Sequence, residues 1–359
     1  MSGTSLDAID MAIIETDGEK ILGFGAAGEA PLTDALREQV RDAIAAGRRW
    51  VRGQPEPNSF AEVAQAVARA HHAAAARFLS EQGLSFADID LIGFHGQTVV
   101  HEAPVKGVVG RTRQLGDGDL LAALCGRPVA FDFRTADVTA GGQGAPLAPI
   151  YHVARAEASG LKPPLAILNI GGVANITLIN RAGEIAAFDT GPGNGLIDSW
   201  VEQCGLGRFD ADGALAAQGR VHEDRLIEMM AHTYFGAQGP KSLDRYDFDL
   251  AVVQGLSPAD GAATLTAFTA ESIARALRPC AAAGVIVCGG GRKNPALLGQ
   301  LSLRGGKPVI TAERAGWRGD AIEAEAFAYL AARTLQGLPI SYPGTTGVGA
   351  PMSGGRIVG

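Results

Sequence analysis

The sequence is poor in cysteine, in long apolar runs and in basic charge, and each shortage removes a class of protein. Its four cysteines, Cys125, Cys204, Cys280 and Cys288, stand far apart, with no CxxC pair and no histidine at ligand spacing. Neither a disulfide framework nor a zinc site is expected. The seven histidines are as dispersed, apart from His71-His72 in an alanine-rich stretch. No apolar run approaches the roughly 20 residues that a membrane span needs. The opening "MSGTSLDAID" has neither the basic nor the apolar region of a secretory signal, so a cytoplasmic location is expected. The net charge of -7 argues against partners such as nucleic acid or an anionic membrane. Two nucleotide signatures are missing as well: there is no GxxxxGK[ST], and no strand-GxGxxG-helix with a ribose-binding acid.

What is present is a well-folded composition, 47% hydrophobic and 19% charged, in 359 residues, which points to two packed lobes. Residues 9 to 24, "IDMAIIETDGEKILGF", predict two apolar strands around an Asp17-Gly18 turn. "NSFAEVAQAVARAHHAAAARFLSEQG" predicts a long helix opened by an Asn/Ser cap and closed at Gly83. "DIDLIGFHGQTV" and "RPVAFDFRTAD" each read as a buried strand running into a polar loop. "APLAPI" and "LKPPLA" bracket a short helix, with a lobe boundary expected nearby. "LAILNIGGVANITLINRAGEIAAFDTG" then repeats the logic of "SGTSLDAIDMAIIETDGEKILGFG": glycine turn, strand, tight turn, strand. An internal duplication is the economical reading. "AGVIVCGGGRKNPALLGQL" predicts a buried strand, three glycines, and a helix with Asn294 as cap and Pro295 in its first turn. A helix around "DAIEAEAFAYLAARTLQG" and a Gly/Pro-rich tail complete the chain.

Three glycine-rich turns follow or join apolar strands: Gly3-Thr4-Ser5, Gly171-Gly172 and Gly289-Gly290-Gly291. Glycine lets backbone approach a ligand closely, and successive N–H groups cradle phosphate oxygens. One such turn is commonly structural; three, two of them in duplicated hairpins, point to nucleotide binding. "FDTGPGN" sets Asp189 at the end of an apolar run, before a Gly-Pro turn that needs no acid. That carboxylate is either a helix cap or Asx-turn acid, or a catalytic group.

The order of hairpin turn, second hairpin turn and GGG before a helix resembles the actin, sugar-kinase and Hsp70 ATPase superfold. The strings "MSGTSLDAID", "GFHGQTVVHEAP", "DFRTADVTAGGQGAPLAP", "NIGGVANIT", "FDTGPGN" and "YPGTTGVGAPMSGGRI" resemble the anhydro-N-acetylmuramic acid kinase family, over essentially the whole chain. The resemblance implies an α/β chain of two duplicated actin-like ATPase (ribonuclease H-like) lobes with an interlobe cleft. Residues 1–135, joined by the tail 340–359, would form the N-terminal lobe, and residues 136–339 the C-terminal lobe. It further implies a homodimeric enzyme of cell-wall recycling that uses ATP and Mg²⁺. Water opens the 1,6-anhydro ring while O6 takes the phosphoryl group, giving N-acetylmuramic acid 6-phosphate and ADP.

Carried onto this sequence, the resemblance makes Asp189 the general base that takes the proton of the water attacking C1. The first phosphate loop would run through Gly3, Thr4, Ser5, Leu6, Asp7, Ala8, Ile9 and Asp10, with Asp7 holding hydrated Mg²⁺ through water. Gly171, Gly172 and Asn175 would form the second phosphate loop. Gly289, Gly290 and Gly291 with Asn294 would receive the adenosine end, while Arg292 and Lys293 stay open between a surface role and nucleotide contact. His95, Gln97, Arg134 and Asp137 fall to the sugar, an arginine suiting the lactyl carboxylate of muramic acid. Glu323 is expected there too: it shares a helix face with Phe327 and Leu330, where a carboxylate needs a partner, whereas Glu325 is expected to point to solvent. Two departures stand out. Family members usually carry a few apolar residues ahead of the first loop, where this chain starts at Met1, and Ala8 stands where the family often has Gly.

Three other readings stay open. An Hsp70- or actin-like ATPase module serving protein binding would need a peptide-binding segment after the last catalytic motif. A related sugar kinase would take a different amino sugar. A glycoside hydrolase using Asp189 and Glu323 as its acid-base pair would leave the glycine turns without a purpose.

Overall fold

Apolar residues from Ala8 onward build a hairpin of β1 (Ala8–Thr16) and β2 (Ile21–Pro31). In this computed structural model, which describes residues 1–3, 6–105, 108–236, 241, 243 and 248–359, the expected turn is present. Asp17 Oδ1 accepts the N–H groups of Glu19 (2.8 Å) and Lys20 (2.6 Å), and Gly18 takes the left-handed conformation at φ 85°. Next come α1 (Asp34–Arg49) and α2 (Ser59–Glu81). Thr33 caps α1 through the Leu36 N–H, and Asp34 and Arg48-Arg49 suit the two ends of its dipole. Asn58, expected to cap α2, lies in helical conformation, and its side chain makes no capping bond.

The chain continues through β3 (Ile92–Phe94), β4 (Gln97–Glu102), β5 (Arg111–Leu115), α3 (Gly118–Cys125), β6 (Val129–Phe131), α4 (Thr135–Thr139) and α5 (Pro149–Ala158). Then follow β7 (Leu165–Ile170), β8 (Val173–Ile179), β9 (Ile185–Pro192), α6 (Gly195–Gln203), α7 (Glu223–Met230) and α8 (Pro258–Leu277). The last elements are β10 (Val285–Cys288), α9 (Pro295–Gly305), β11 (Val309–Thr311), α10 (Ile322–Leu335) and β12 (Arg356–Val358).

These elements form two units, Met1–Gly160 with Ala321–Gly359, and Leu161–Asp320. In the first, β1 pairs with β2, β4 with β5, and β6 lies between β3 (parallel) and β12 (antiparallel). Its core joins Val40 of α1, Phe60 and Val67 of α2, Phe94, Leu115 and Val129. In the second, one sheet has the order β11-β10-β7-β8-β9, an antiparallel meander of three strands followed by two strands parallel to β7. Leu168, Ile170 and Ile176 of that sheet pack on Ile273 of α8 and on Leu297 and Leu301 of α9. Each fully buried aliphatic side chain contributes roughly 1.5–3 kcal/mol, so these helices hold the sheet firmly. The Thr and Ser hydroxyls buried in α8 are mostly satisfied: Thr264 donates to Asp260 O at 2.7 Å and Ser272 to Thr269 O at 2.8 Å.

Candidate active site

In the second unit the strand register sets Asn169, Asn175 and Asp189 on one row across β7, β8 and β9, with a bulge between Ala174 and Asn175. Asp189 lies inside β9, which runs on to Pro192, and α6 is preceded by Asn194; the acid is therefore not that helix's cap. Its Oδ2 accepts the Leu243 N–H at 2.8 Å, its own N–H donates to Lys241 O at 3.0 Å, and the Tyr234 hydroxyl donates to its carbonyl at 2.6 Å. Burial pushes the carboxyl up to about 7, against the Leu243 N–H and the Lys241 ammonium, which pull it down. A carboxylate poised near neutrality is suited to proton transfer.

Because β7 and β10 are parallel neighbours, the glycine turns that follow them open at the same edge of the sheet, beyond the strands' carboxyl ends. The carbonyl of Gly171 accepts Asn194 N–H at 2.7 Å, and that of Gly172 accepts Gly193 N–H at 3.0 Å, which fixes the first turn. A Cβ on Gly172 would meet nothing within 4 Å, so packing does not require glycine there. The second turn is different. Gly289 has φ +71° and a Cβ there would strike Asn169, while one on Gly291 would come within 2.5 Å of Ile170 Cγ2. Gly290 lies between them with only Asn194 Nδ2 at 3.7 Å. Arg292 is buried rather than solvated: it pairs with Glu313 and Asp320, both at 2.7 Å, and donates to Gly289 O at 3.0 Å, bracing the turn. Lys293 is exposed and pairs with Asp320 at 2.9 Å. Asn294 caps α9, its Oδ1 accepting Leu297 N–H at 3.0 Å. Sequence reasoning missed Asn194 and Thr269, whose hydroxyl donates to Gly193 O at 2.9 Å; the glycines in "GPGNG" were the available signal.

The first unit gathers the other candidates. Gln97 Nε2 donates to Gly3 O at 3.3 Å, and Gln97 Oε1 is buried with no partner among the described residues. Thr4 and Ser5 lie outside the described residues. Leu6 and Ile9 turn their side chains into the core, so only their backbone can serve a loop. Among the described residues of this loop a positive φ falls on Leu6, at 56°, whereas Ala8 is in β1; alanine at that position strains nothing. Asp7 is exposed, and its Oδ1 accepts Ala8 N–H at 3.0 Å. Burial raises the Asp10 carboxyl to about 6, with the Met1 ammonium opposing and the Glu323 charge adding.

His95 sits 4.5 Å, ring to ring, from Phe327, with Nδ1 at 2.8 Å from Gly96 O. That contact places the proton on Nδ1 and leaves Nε2 to accept from Arg134 Nη2 at 3.0 Å. Burial, helped by the Arg134 charge, holds His95 well below its ordinary value, so it is neutral. Arg134 donates also to Gly144 O at 2.8 Å; burial lowers its guanidinium to about 10, with Glu323 and Asp137 opposing. Asp137 faces inward, accepting Gly144 N–H at 2.6 Å and the Thr346 hydroxyl at 2.5 Å, and thereby ties down the loop that Arg134 touches. The two α10 acids reverse their expected places. Glu323 is exposed, near Arg134 and Asp10, while Glu325 is fully buried and accepts a hydrogen bond from Tyr151. The reason is that α10 is covered nearly all round, with Ala324, Ala326, Phe327, Tyr329 and Leu330 all buried, so the apolar stripe does not single out one face.

A meander continued by two parallel strands, with glycine turns at the strand ends, is the sheet of the ribonuclease H-like ATPase class. A family model described as anhydro-N-acetylmuramic acid kinase matches residues 1–358. The anhydro-N-acetylmuramic acid kinase of Caulobacter vibrioides is 61% identical over 100% of this chain and 97% of its own length. That of Phenylobacterium zucineum is 59% identical over 100% and 98%. A solved structure, the (R)-2-hydroxyglutaryl-CoA dehydratase component A of Acidaminococcus fermentans, is similar at TM-score 0.43 and 15% identity over 91% of this chain and 95% of its own, a likeness too distant to argue from. The chain belongs to the anhydro-N-acetylmuramic acid kinase family. Among the described residues no helix is long and apolar enough to cross a membrane.

Proposed function

We propose that this chain uses ATP to phosphorylate O6 of 1,6-anhydro-N-acetylmuramic acid while water opens the anhydro bridge, releasing N-acetylmuramic acid 6-phosphate and ADP. The match to the family over residues 1–358 is the observation that carries this reading. In the step, the water oxygen bonds to C1, the C1–O6 bond breaks, O6 bonds to the γ-phosphorus, and ADP leaves. The water proton passes to Asp189. With Oδ2 held by the Leu243 N–H, Oδ1 is the receiving atom, and burial makes it a stronger base than an ordinary carboxylate.

The turns at Gly171-Gly172 and Gly289–Gly291, with Asn175 and Asn294, take the nucleotide, and Gly172 and Gly290 are the points of close approach. The loop from Gly3 to Asp10, including Thr4 and Ser5, takes the phosphates through its backbone. On the sugar, Arg134 pairs with the lactyl carboxylate, neutral His95 and Gln97 accept or donate to polar groups, and Glu323 accepts a hydroxyl. Asp137 acts by holding the Gly144 loop under Arg134.

Bound Mg²⁺ would neutralise charge on the transferred phosphoryl group; Asp7, or Asp10, offers the hard oxygen it prefers, through water. No cluster of three or more ligating side chains occurs among the described residues, which suits an ion carried in by the nucleotide better than a protein cage. Assembly as a homodimer and a cytoplasmic location belong to the same proposal, on the strength of the family. The test is ADP release with and without the anhydro sugar. Release should depend on the sugar; sugar-independent ADP release, or ring opening without ATP, refutes the reading.

A further inference from the structure

In the sheet of the second unit β9 is an edge strand, and at Asp189 its outer side is met by chain from between α7 and α8. Lys241 and Leu243 lie along it much as a parallel strand would, with the Asp189 N–H donating to Lys241 O at 3.0 Å. In a regular parallel pair the Leu243 N–H would return to the Asp189 carbonyl. It goes instead to the carboxylate, at Oδ2, 2.8 Å away. The carbonyl is taken by the Tyr234 hydroxyl, which donates to it at 2.6 Å from the single turn Thr233–Gly236. Tyr234 thus occupies the acceptor that would otherwise draw the Leu243 N–H off the acid.

The same tyrosine carries a cation. Lys241 Nζ lies 4.2 Å from the centre of the Tyr234 ring and donates to Tyr234 O at 3.0 Å, so ring and carbonyl together fix the ammonium. Its charge reaches Asp189, drawing the carboxyl down against burial. In return Asp189 raises the lysine, which burial and then the Arg275 charge lower from its ordinary value. The other elements around Asp189 add little charge. Across the ladder β8 offers the neutral Asn175, and α8, packed on β9, brings Arg275. Among the described residues Lys241 is therefore the charge that acts on Asp189, with Arg275 behind it.

We propose that Tyr234 and Lys241 are positioning residues for the proton transfer: Tyr234 turns the Leu243 N–H onto Oδ2, and the lysine on its ring keeps the carboxylate ionised. The proposal rests on Asp189 acting as the base. Neither residue takes the proton, which still passes to Oδ1, the oxygen left once Oδ2 is engaged. An opposite charge or a donated hydrogen bond at close range lowers a carboxyl by about 1 unit or more. Below its midpoint, each unit changes the ionised fraction about tenfold.

The test follows the Asp189 carboxyl by NMR in protein labelled at its aspartate carboxyls, with Asp189→Asn to assign the signal, and kcat against pH. Lys241→Met should raise the carboxyl's midpoint by about 1 unit and lower kcat about 10-fold at about pH 6, with little loss at about pH 8.5. Lys241→Arg should restore both. Tyr234→Phe should raise the midpoint and also lower kcat by about 3–10-fold at about pH 8.5, because the Leu243 N–H can then return to the carbonyl. Should Lys241→Met not fold, Lys241→Gln is read in the same way. An unmoved midpoint without the ammonium, or the same midpoint in the Met and Arg variants, overturns the proposal. Near-parental kcat in Asp189→Asn, with the midpoint still moving in Lys241→Met, removes the base itself, so the two failures are told apart.

Discussion

Replacing Asp189 by Asn keeps the side chain's shape and removes its charge, so one variant tests the proposed base and its electrostatics together. Burial raises the carboxyl from 3.8 to about 7. At about 1.4 kcal/mol per pH unit, holding it ionised costs the folded chain roughly 4 kcal/mol, an upper figure because the side chain keeps some contact with water. The folded value lies above the unfolded one, so between pH 4 and pH 7 the folded chain binds more protons. This group's contribution to stability is therefore greatest below about pH 4, falls as pH rises to about 7, and is flat above. Asn carries no such slope. Urea unfolding should find Asp189→Asn more stable than the parent by a few kcal/mol at pH 8 and little different at pH 4. Steady-state ADP release should fall by ~10²–10⁴-fold, with the ATP KM unchanged. Parent kcat should climb through about pH 7 as the base ionises. A near-parental kcat in the variant, or the same stability difference at both pH values, would refute the reasoning.

The two glycine turns should respond differently to alanine. Gly172→Ala should leave Tm unchanged and raise the ATP KM, because the added methyl meets no protein atom; Gly291→Ala should lose about 1–3 kcal/mol in denaturant titration through collision with Ile170. Arg134→Lys should cost about 1–3 kcal/mol, since a lysine cannot reach both His95 Nε2 and Gly144 O, and should raise the sugar KM more than the ATP KM. Glu325→Ala should destabilise by about 2–4 kcal/mol by removing a buried acceptor of the Tyr151 hydroxyl, while Glu323→Ala should stay within about 0.5 kcal/mol and act on the sugar KM. Thermal unfolding checks the first half of each statement and initial rates the second.

Local chemistry decided which parts of this molecule could be read in advance. The Asp17-Gly18 hairpin and the Asn294-Pro295 helix start were legible because one side chain and its near neighbours determine each. The meander of β7, β8 and β9 was legible from alternation and tight turns. Helix α8 went unread: its residues are buried on almost every face, so no polar stripe marks its period. Glu323 and Glu325 were exchanged for the same reason. Nor does the sequence announce that β12 pairs with β6, a contact between distant segments. Within the candidate site, Asp189 and the glycines were visible as motifs. The internal duties of Asp137 and Arg292 were not, because both depend on loops brought together by folding.

Residues 321–359 return to the unit that the chain began. Leu330 of α10 enters the same cluster as Ala130 and Phe133, and β12 completes the edge of β6. During translation the first 160 residues must therefore wait for the final stretch to leave the ribosome, whereas residues 161–320 emerge as one contiguous piece. At roughly 5–20 residues per second that wait lasts on the order of ten seconds or more. Biosynthesis thus favours closing the contiguous unit, residues 161–320, first.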